Sequence, residues 1–249
     1  MLILLSPSKT QDFSPISNLE SSIPKHIKKA NYLISLLKKL NKQELSKFMS
    51  LSESLCDITH MQIQEFNLTS NGEADKQALF AYTGEVFNKI NPKSFSSEQI
   101  SFCQSHIRIL SGLYGVLKPL DLIQPYRLEM ATKIITKDKK NLVEFWKNSI
   151  TKILKIEKEI IINLASKEYI HSINLKDLNA KFLTIHFKEK KVNGFKVVGV
   201  YAKQARGMMI DFIVKNQIIA PQLLKKFTEE RYRFNSNLSS ECDWVFTRN

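Results

Sequence analysis

The chain has 249 residues, 43% of them hydrophobic and 24% charged, which is the composition of an ordinary globular protein with a sizeable core. No apolar run approaches the roughly 18 residues of a membrane span, and LILLS, at residues 2–6, is too short for a signal peptide. The formal net charge is +13, and residues 101–249 hold 26 Lys and Arg against 14 Asp and Glu, which points to a polyanionic partner.

The N-terminal stretch MLILLSPSKTQDF predicts a buried strand that runs into a turn fixed by Pro7. Lys9 and Thr10 match the last two positions of the phosphate-binding loop G-x-x-x-x-G-K-[ST], but both glycines of that loop are missing. We therefore expect residues 6–10 to end a strand at the carboxyl edge of a sheet, where ligands of open α/β sheets bind. There Lys9 and the neighbouring hydroxyl groups would contact an anion.

Helices are predicted for the next part of the chain. Apolar spacing and Pro24 in the first turn predict a helix within residues 21–40. Asn41 and Glu44 form a capping-box pattern that starts a second helix within residues 41–66. The two would make a helical hairpin over residues 25–66. A shorter helix is expected over residues 74–82, before a break at Gly84.

The segment SFCQSHIRILSGLYGVLKPLDLIQPYRLEM is the most unusual one. IRIL predicts a short buried strand, and Gly112 and Gly115 flank a tight turn. Pro119 and Pro125 then hold an irregular, apolar connection. Two glycines this close together indicate either a backbone shaped for a close approach or a packed structural loop.

The remaining elements alternate helices and strands. We predict a helix at residues 141–156, a strand at 159–163 that enters a helix, and a hairpin turning at Asn193-Gly194. Helices are then expected at 205–218 and 223–235, followed by a strand at 242–249. Because no repeat or linker interrupts this pattern, we predict one mixed α/β (α+β) domain over residues 1–249. The excess of positive charge predicts a basic cleft in this domain.

Tyr201, Lys203 and Arg206 lie where the predicted hairpin strand passes into a helix. Such a junction offers free backbone amides and the positive end of a helix dipole, so cations there form a plausible anion site. The alternative is that both cations simply belong to the exposed face of an amphipathic helix.

The segment RYRFN alternates Arg231 and Arg233 with aromatic residues. Basic residues interleaved with aromatic ones can hold a nucleic-acid backbone and stack bases. An ordinary strand with its aromatic side chains facing inward explains the same pattern.

The arginines carry more information than the lysines. The chain is rich in Lys, Asn and Ile, the residues of AT-rich codons, so many lysines are expected to form a solvated surface. All six arginines lie after residue 100, and the planar guanidinium suits phosphate and carboxylate groups.

The three cysteines and five histidines show neither C-x-x-C nor HxH or HxxxH spacing. This argues for a reducing compartment without a disulfide framework. We expect no metal site and no cofactor.

Five segments together, in this order, closely resemble the bacterial peroxide stress protein YaaA family. They are LLSPSKTQDF, RILSGLYGVLKPLDLIQPYRLEM, NLASKEY, VVGVYAKQARG and YRFNSNLSSECDWVF, and the match runs from residue 2 to residue 246. The resemblance implies a cytoplasmic protein of the hydrogen peroxide stress response that limits iron-mediated oxidative damage. It also implies the fold named "cantaloupe", a positively charged cleft and DNA binding with a helix-hairpin-helix element. In this chain that element would fall around residues 40–45, although its usual G-h-G turn is missing.

Both lines of reasoning give one predicted phosphate-binding set. It contains Lys9, Thr10, Arg108, Lys118, Arg127, Tyr201, Lys203, Arg206 and Arg233. We expect duplex DNA as the partner, bound as a monomer with little sequence specificity.

The alternative is an enzyme that acts on a nucleotide or damaged nucleobase held by the same cations, with Glu129 as general base. A broad groove would favour DNA, whereas a closed pocket for one small anion would favour chemistry.

Overall fold

The computed structural model describes residues 1–16, 20–69, 75–133, 139–156 and 159–249. The strands are β1 (Leu2–Leu5), β2 (Lys76–Gln77), β3 (Ile107–Ser111), β4 (Gly115–Leu117), β5 (Leu122–Ile123), β6 (Ile160–Asn163), β7 (Lys181–Lys191), β8 (Gly194–Lys196), β9 (Arg233–Phe234) and β10 (Asp243–Arg248). The α-helices are α1 (Ile27–Leu37), α2 (Lys42–Met49), α3 (Glu53–Glu65), α4 (Ala78–Ala81), α5 (Ser97–His106), α6 (Leu142–Lys155), α7 (Lys167–Ile170) and α8 (Gly199–Lys215). Short 3-10 turns occupy Phe87–Lys89, Pro92–Ser94, Leu175–Asp177, Pro221–Lys226, Glu229–Arg231 and Ser236–Leu238.

A mostly parallel sheet forms the centre, in the spatial order β4-β3-β1-β6-β7-β10-β9, with β8 paired to β7. The pairs β1–β3, β1–β6, β6–β7 and β7–β10 are parallel, and the outer pairs with β4, β8 and β9 are antiparallel. All four residues of β1 are buried, as expected of a central strand covered on both faces. A separate antiparallel pair joins β2 to β5.

The order of the strands creates a crevice between β1 and β6. The chain moves from β1 to β3 on one side, then returns to β6 on the other side and continues to β7 and β10. The connections that leave β1 and β6 therefore diverge. Open α/β sheets bind ligands at such a switch point, beyond the carboxyl ends of the strands.

Gly112 holds the segment after β5 close to the sheet. A Cβ atom on Gly112 would lie 2.3 Å from the carbonyl oxygen of Leu128, so no other residue fits without moving that segment. The fully buried Trp146 of α6 donates its indole N–H to the Gly112 carbonyl oxygen at 2.8 Å. Both features that the glycines indicated are present, because the backbone makes a close approach at Gly112 within a packed loop, next to Arg127 and Glu129.

The structure confirms the mixed α/β fold and much of its local structure. The strand after Met1, the IRIL strand, the helix at α6, the strand at β6, the Asn193-Gly194 hairpin and the final strand at β10 are all present. None of the helices within the described ranges is long and apolar enough to cross a membrane.

Two of the predicted helices are shorter in the structure, and Pro24 lies outside the helix in which it was predicted. The prediction for residues 41–66 joins two helices, because Ser50 takes a left-handed conformation with φ 53° between α2 and α3. Pro24 precedes α1 by three residues instead of lying in its first turn. The helix expected at 74–82 is reduced to α4, preceded by strand β2, and residue 74 lies outside the described residues.

The C-terminal part contains two further differences. Helix α8 begins at Gly199, six residues before the predicted start. The prediction was late because the β-branched residues of VVGV favour a strand locally, and the tertiary structure overrides that preference. The helix predicted at 223–235 is replaced by 3-10 turns and β9. Glu230 and Arg231 have φ values of 45° and 67°, which a continuing α-helix does not allow.

Candidate anion-binding site

A cavity of about 290 Å³ lies at the switch point, where the chain leaves β1 and β6. Residues 6–9 after β1 and Leu164 and Ser166 after β6 line it. The two loops are joined directly, because the Ser166 backbone N–H donates to Ser6 Oγ at 2.8 Å and the two hydroxyl oxygens lie 3.3 Å apart. The cavity therefore occupies the position that the sheet topology provides for a ligand.

Helix α8 supplies another wall. Lys203 and Arg206 are three residues apart and so lie on the same face of the helix. A Cβ atom on Gly207 would lie only 2.0 Å from the Val86 carbonyl oxygen, so the helix touches the segment 85–87 through bare backbone. A side chain at Gly207 would force helix α8 or the segment 85–87 to move.

Four cations and three carboxylates line the cavity. They are Lys9, Arg127, Lys203 and Arg206, with Glu85, Glu129 and Glu168. Each carboxylate has a hydrogen-bond or ion-pair partner in the protein, whereas some of the cations have none among the described residues.

Glu129 is the carboxylate closest to the cations. Its Oε2 lies 2.8 Å from Lys9 Nζ, and its Oε1 lies 3.8 Å from Arg127 Nη2. The Lys9 side chain is 60% exposed, so this ion pair is screened by water and contributes little to stability.

The other two carboxylates accept hydrogen bonds from neutral groups of the protein. Glu85 accepts a hydrogen bond from the Gln204 side chain at 2.6 Å. Glu168 accepts one from the Ala131 backbone N–H at 3.1 Å. Neither has an ion pair with a cavity cation among the residues that the structure describes.

Arg206 is the exceptional group. Its Nε–H is buried without a hydrogen-bond acceptor, and the side chain has no ion pair within the described part of the chain. Burial lowers the pKa of the Arg206 guanidinium. The Nε–H of Arg127 is likewise buried without an acceptor. A desolvated charge without a partner is costly, so an anion in the cavity would satisfy both arginines.

Apolar and aromatic groups form the rest of the wall. Phe87, Leu128, Leu164, Tyr126 and Tyr169 line it. The Tyr126 hydroxyl is 2.6 Å from both the Tyr82 hydroxyl and Ser111 Oγ. Burial raises the pKa of Tyr126 to about 12, so the hydroxyl stays protonated at neutral pH.

Comparison with known proteins gives the same family over nearly the whole chain. The family model described as "Peroxide stress protein YaaA" matches residues 1–238. The chain belongs to the peroxide stress protein YaaA family.

Named relatives of this YaaA family member carry the label UPF0246. UPF0246 protein CPE2152 of Clostridium perfringens is 44% identical over 254 residues, and UPF0246 protein AM1_4276 of Acaryochloris marina is 43% identical over 252 residues. Each alignment covers 100% of both chains. UPF0246 protein NMA1114 of Neisseria meningitidis is 38% identical, with 100% of this chain and 98% of the relative aligned.

The structure of this YaaA family member brings four of the nine predicted residues together. Lys9, Arg127, Lys203 and Arg206 line the cavity. Thr10 lies beside it, with its hydroxyl 3.1 Å from Ser8 Oγ.

The other four residues lie elsewhere. Arg108 and Lys118 line a second cavity of about 310 Å³ that shares no lining residue with the first. Arg233 donates from Nη1 to the carbonyl oxygens of Thr228 and Tyr232. The single cleft predicted from Lys9 to Arg233 is therefore divided, because charge composition does not reveal at which end of the sheet a side chain emerges.

Tyr201 also has a different environment from the predicted one. Its ring lies 4.9 Å from the guanidinium carbon of Arg248 and does not line the cavity. Helix α8 begins at Gly199, so Lys203 and Arg206 lie within the helix and not beside the free backbone amides of its first turn. The predicted strand-to-helix junction is wrong for these residues.

Ser166, Glu168 and Tyr169 also line the cavity, and they were not among the predicted phosphate-binding residues. They follow strand β6 in NLASKEY, and polar residues after a buried strand are the available signal for a ligand-binding edge. The segment 85–87 carries no comparable signal, because only the tertiary packing against α8 brings it to the cavity.

The predicted helix-hairpin-helix link has its amides occupied. The Glu44 N–H donates to Asn41 Oδ1 at 3.0 Å, and the Asn41 N–H donates to Glu44 Oε2 at 2.9 Å. The predicted capping box is confirmed. A phosphate at this link would have to displace the Glu44 carboxylate. No group of three or more His, Cys, Asp or Glu in the described residues is placed to hold a metal ion.

Proposed function

We propose that this YaaA family member acts in the peroxide stress response by binding DNA in the cytoplasm with low sequence specificity. In this proposal Lys9, Arg127, Lys203 and Arg206 contact phosphate groups at the switch-point cavity. The observation that carries the proposal is Arg206, which is partly buried, with an Nε–H that has no acceptor and a guanidinium that has no counter-ion among the described residues.

Phosphate suits the Arg206 guanidinium chemically. A guanidinium forms charge-assisted hydrogen bonds to phosphate oxygens, and these are roughly twice as strong as neutral ones. The carboxylates of the lining are engaged by Lys9, Gln204 and the Ala131 N–H, so they leave Arg206 and Lys203 available.

The charge of the whole chain supports a polymer as the partner. The net charge is +13, and its excess lies in residues 101–249, the part that supplies Arg127, Lys203 and Arg206. Such a chain attracts a polyanion over long distances and binds it with strong salt dependence. Phosphate contacts carry no sequence information, which supports low specificity.

The protective effect is part of the same proposal. A protein bound along DNA would keep radicals formed from iron and hydrogen peroxide away from the covered strand. This would limit iron-mediated damage through shielding of the DNA itself.

The test measures the affinity for duplex DNA across a salt series for wild type, Arg206→Gln and Arg233→Gln. Arg233 is the matched control, because it is an exposed arginine that lines neither cavity. We expect Arg206→Gln to reduce the slope of log K against log salt by about one, and Arg233→Gln to leave it unchanged. Equal slopes for all three proteins, or no DNA binding by wild type, would overturn the proposal.

A second candidate function is an enzyme that acts on a nucleotide or damaged nucleobase. The volume of about 290 Å³ favours it, because this is the size of a small-ligand site and not of a duplex groove. Glu129 would act as general base while the cations hold the phosphate. Product formation from a nucleotide that Glu129→Gln abolishes, with binding retained, would establish this function.

A further inference from the structure

The lining of the switch-point cavity combines two chemistries that phosphate binding alone does not require. Lys203 and Arg206 provide positive charge that has no ion-pair partner in the part of the chain that the structure describes. Phe87, Tyr126 and Tyr169 provide aromatic surface within the same cavity. A site for bare phosphate needs only the first of these.

We propose that the cavity receives a single nucleotide, with its phosphate on Arg206 and Lys203 and its base against the aromatic wall. A cavity of about 290 Å³ lies at the lower end of the roughly 300–1,000 Å³ of small-molecule sites, which one nucleotide suits and a duplex does not. The inference rests on the proposed function for the source of the nucleotide, an unpaired position in a DNA strand. A free mononucleotide has the same chemistry.

The aromatic wall suits a base for two reasons. Every base has a π-face, so stacking on tyrosine or phenylalanine binds all four without reading their sequence. The Tyr126 hydroxyl is bonded to Tyr82 and Ser111, so the ring is held in place before any ligand arrives. A preorganised ring loses little freedom when a base stacks on it.

Polar groups are present for the edge of the base or for the sugar. Ser6, Ser8 and Ser166 line the cavity together with Glu168. Hydroxyl groups both donate and accept hydrogen bonds, so they tolerate different base edges. This agrees with a site that holds any nucleotide.

An unpaired nucleotide is the form that reaches such a cavity at the lowest cost. Extrusion of a base from a duplex costs a few kcal/mol, and least where the base is mismatched, damaged or already unpaired. The proposal therefore predicts that the protein distinguishes a bulged duplex from a fully paired one while ignoring the sequence of either.

The experiment compares the affinities of a paired duplex, the same duplex with a one-nucleotide bulge, and free dAMP. Val86→Trp fills the cavity from the segment 85–87, where the side chain is only partly buried, so the fold tolerates the change better than at the buried positions. Val192→Trp, at a fully exposed position in the β7–β8 turn, is the matched control. Thermal unfolding of each variant verifies that it is folded.

We expect wild type and Val192→Trp to bind the bulged duplex about tenfold more tightly than the paired one, as one stacked base provides. Val86→Trp should lose this preference and bind both duplexes with equal affinity. Equal affinity of wild type for both duplexes, without dAMP binding, would overturn the inference and leave DNA binding intact. Binding of dAMP that Val86→Trp blocks, with no binding of either duplex, would support the nucleotide cavity and overturn DNA as its source.

Discussion

Arg206 at the cavity and Arg248 at the end of β10 are both partly shielded from water, yet of these two only Arg248 has carboxylate partners among the residues that the structure describes. Arg248 Nε lies 2.9 Å from Glu189 Oε2, and its Nη1 lies 2.8 Å from Glu230 Oε2. The Tyr232 hydroxyl donates to Glu189, and the ring of Tyr232 lies 4.7 Å from the guanidinium carbon. The positive charge of Arg248 is therefore balanced by carboxylates of the protein itself.

The contrast shows how the same side chain serves two purposes. A buried guanidinium with matched carboxylates contributes to the folded structure, and its removal leaves a carboxylate unpaired. A buried guanidinium without a match does not stabilise the fold and requires a ligand. The surroundings, and not the residue type, are therefore the reason why we propose Arg206 as a ligand-binding group and Arg248 as a structural one.

The largest effect should come from Arg248→Met. The side chains of Arg248 and Glu189 are 14% and 11% exposed, so the change leaves a buried carboxylate without its cation. We expect the free energy of unfolding in urea to fall by about 3 kcal/mol. The double variant Arg248→Met/Glu189→Met should recover most of that loss, and a loss below about 1 kcal/mol for the single change would show that the pair is weak.

A comparison of two lysines within the cavity gives an intermediate effect. Lys203 has no protein partner in the described structure, whereas Lys9 is paired with Glu129 at 2.8 Å. We expect Lys203→Ala to weaken duplex DNA binding about fivefold, and Lys9→Ala to weaken it less than about twofold, because its carboxylate partner already offsets its charge. Fluorescence anisotropy with labelled DNA measures both, and the reverse order would make Lys9 the stronger phosphate contact of the two.

A structural feature of this protein was predictable from the sequence where the residues that determine it are close together along the chain. Local patterns predict the buried strand β6, the hairpin at Asn193-Gly194 and the capping box at Asn41, because each is decided by neighbours in sequence. The pairing of Arg248 with Glu189 joins residues that are 59 positions apart, and no local pattern reveals it.

The same limit applies to the site. The charge after β1 correctly predicts Lys9 at the carboxyl edge of the sheet. Arg108 carries the same charge but lies early in β3, opposite Leu4, and lines the other cavity. Only the register of the sheet separates the two, so composition alone placed them in one cleft.

The smallest predicted effect is on the pH dependence of stability and concerns Glu230, one of the two carboxylate partners of Arg248. The hydrogen bond from Lys89 holds the pKa of Glu230 below its usual value, and the hydrogen bond from Arg248 lowers it further. Because the folded-state pKa is the lower one, this stabilisation is present above the pKa of the unfolded chain and is lost as the pH falls through the folded-state pKa. Glu230→Gln should therefore be less stable than wild type at pH 7 by under about 1 kcal/mol.

Urea unfolding at several pH values checks this difference. It should shrink as the pH falls below about 4.5, the region where glutamate protonates. A difference that is constant down to acidic pH would show that Glu230 acts through packing and not through its charge.

The free energy of unfolding of Arg206→Gln tests the central claim most directly. If Arg206 is kept for a ligand, its removal relieves a desolvated charge, and the free energy of unfolding without DNA should stay equal to that of wild type or rise by up to about 1 kcal/mol. A fall of about 3 kcal/mol, as expected for Arg248→Met, would contradict the account and make Arg206 a structural residue.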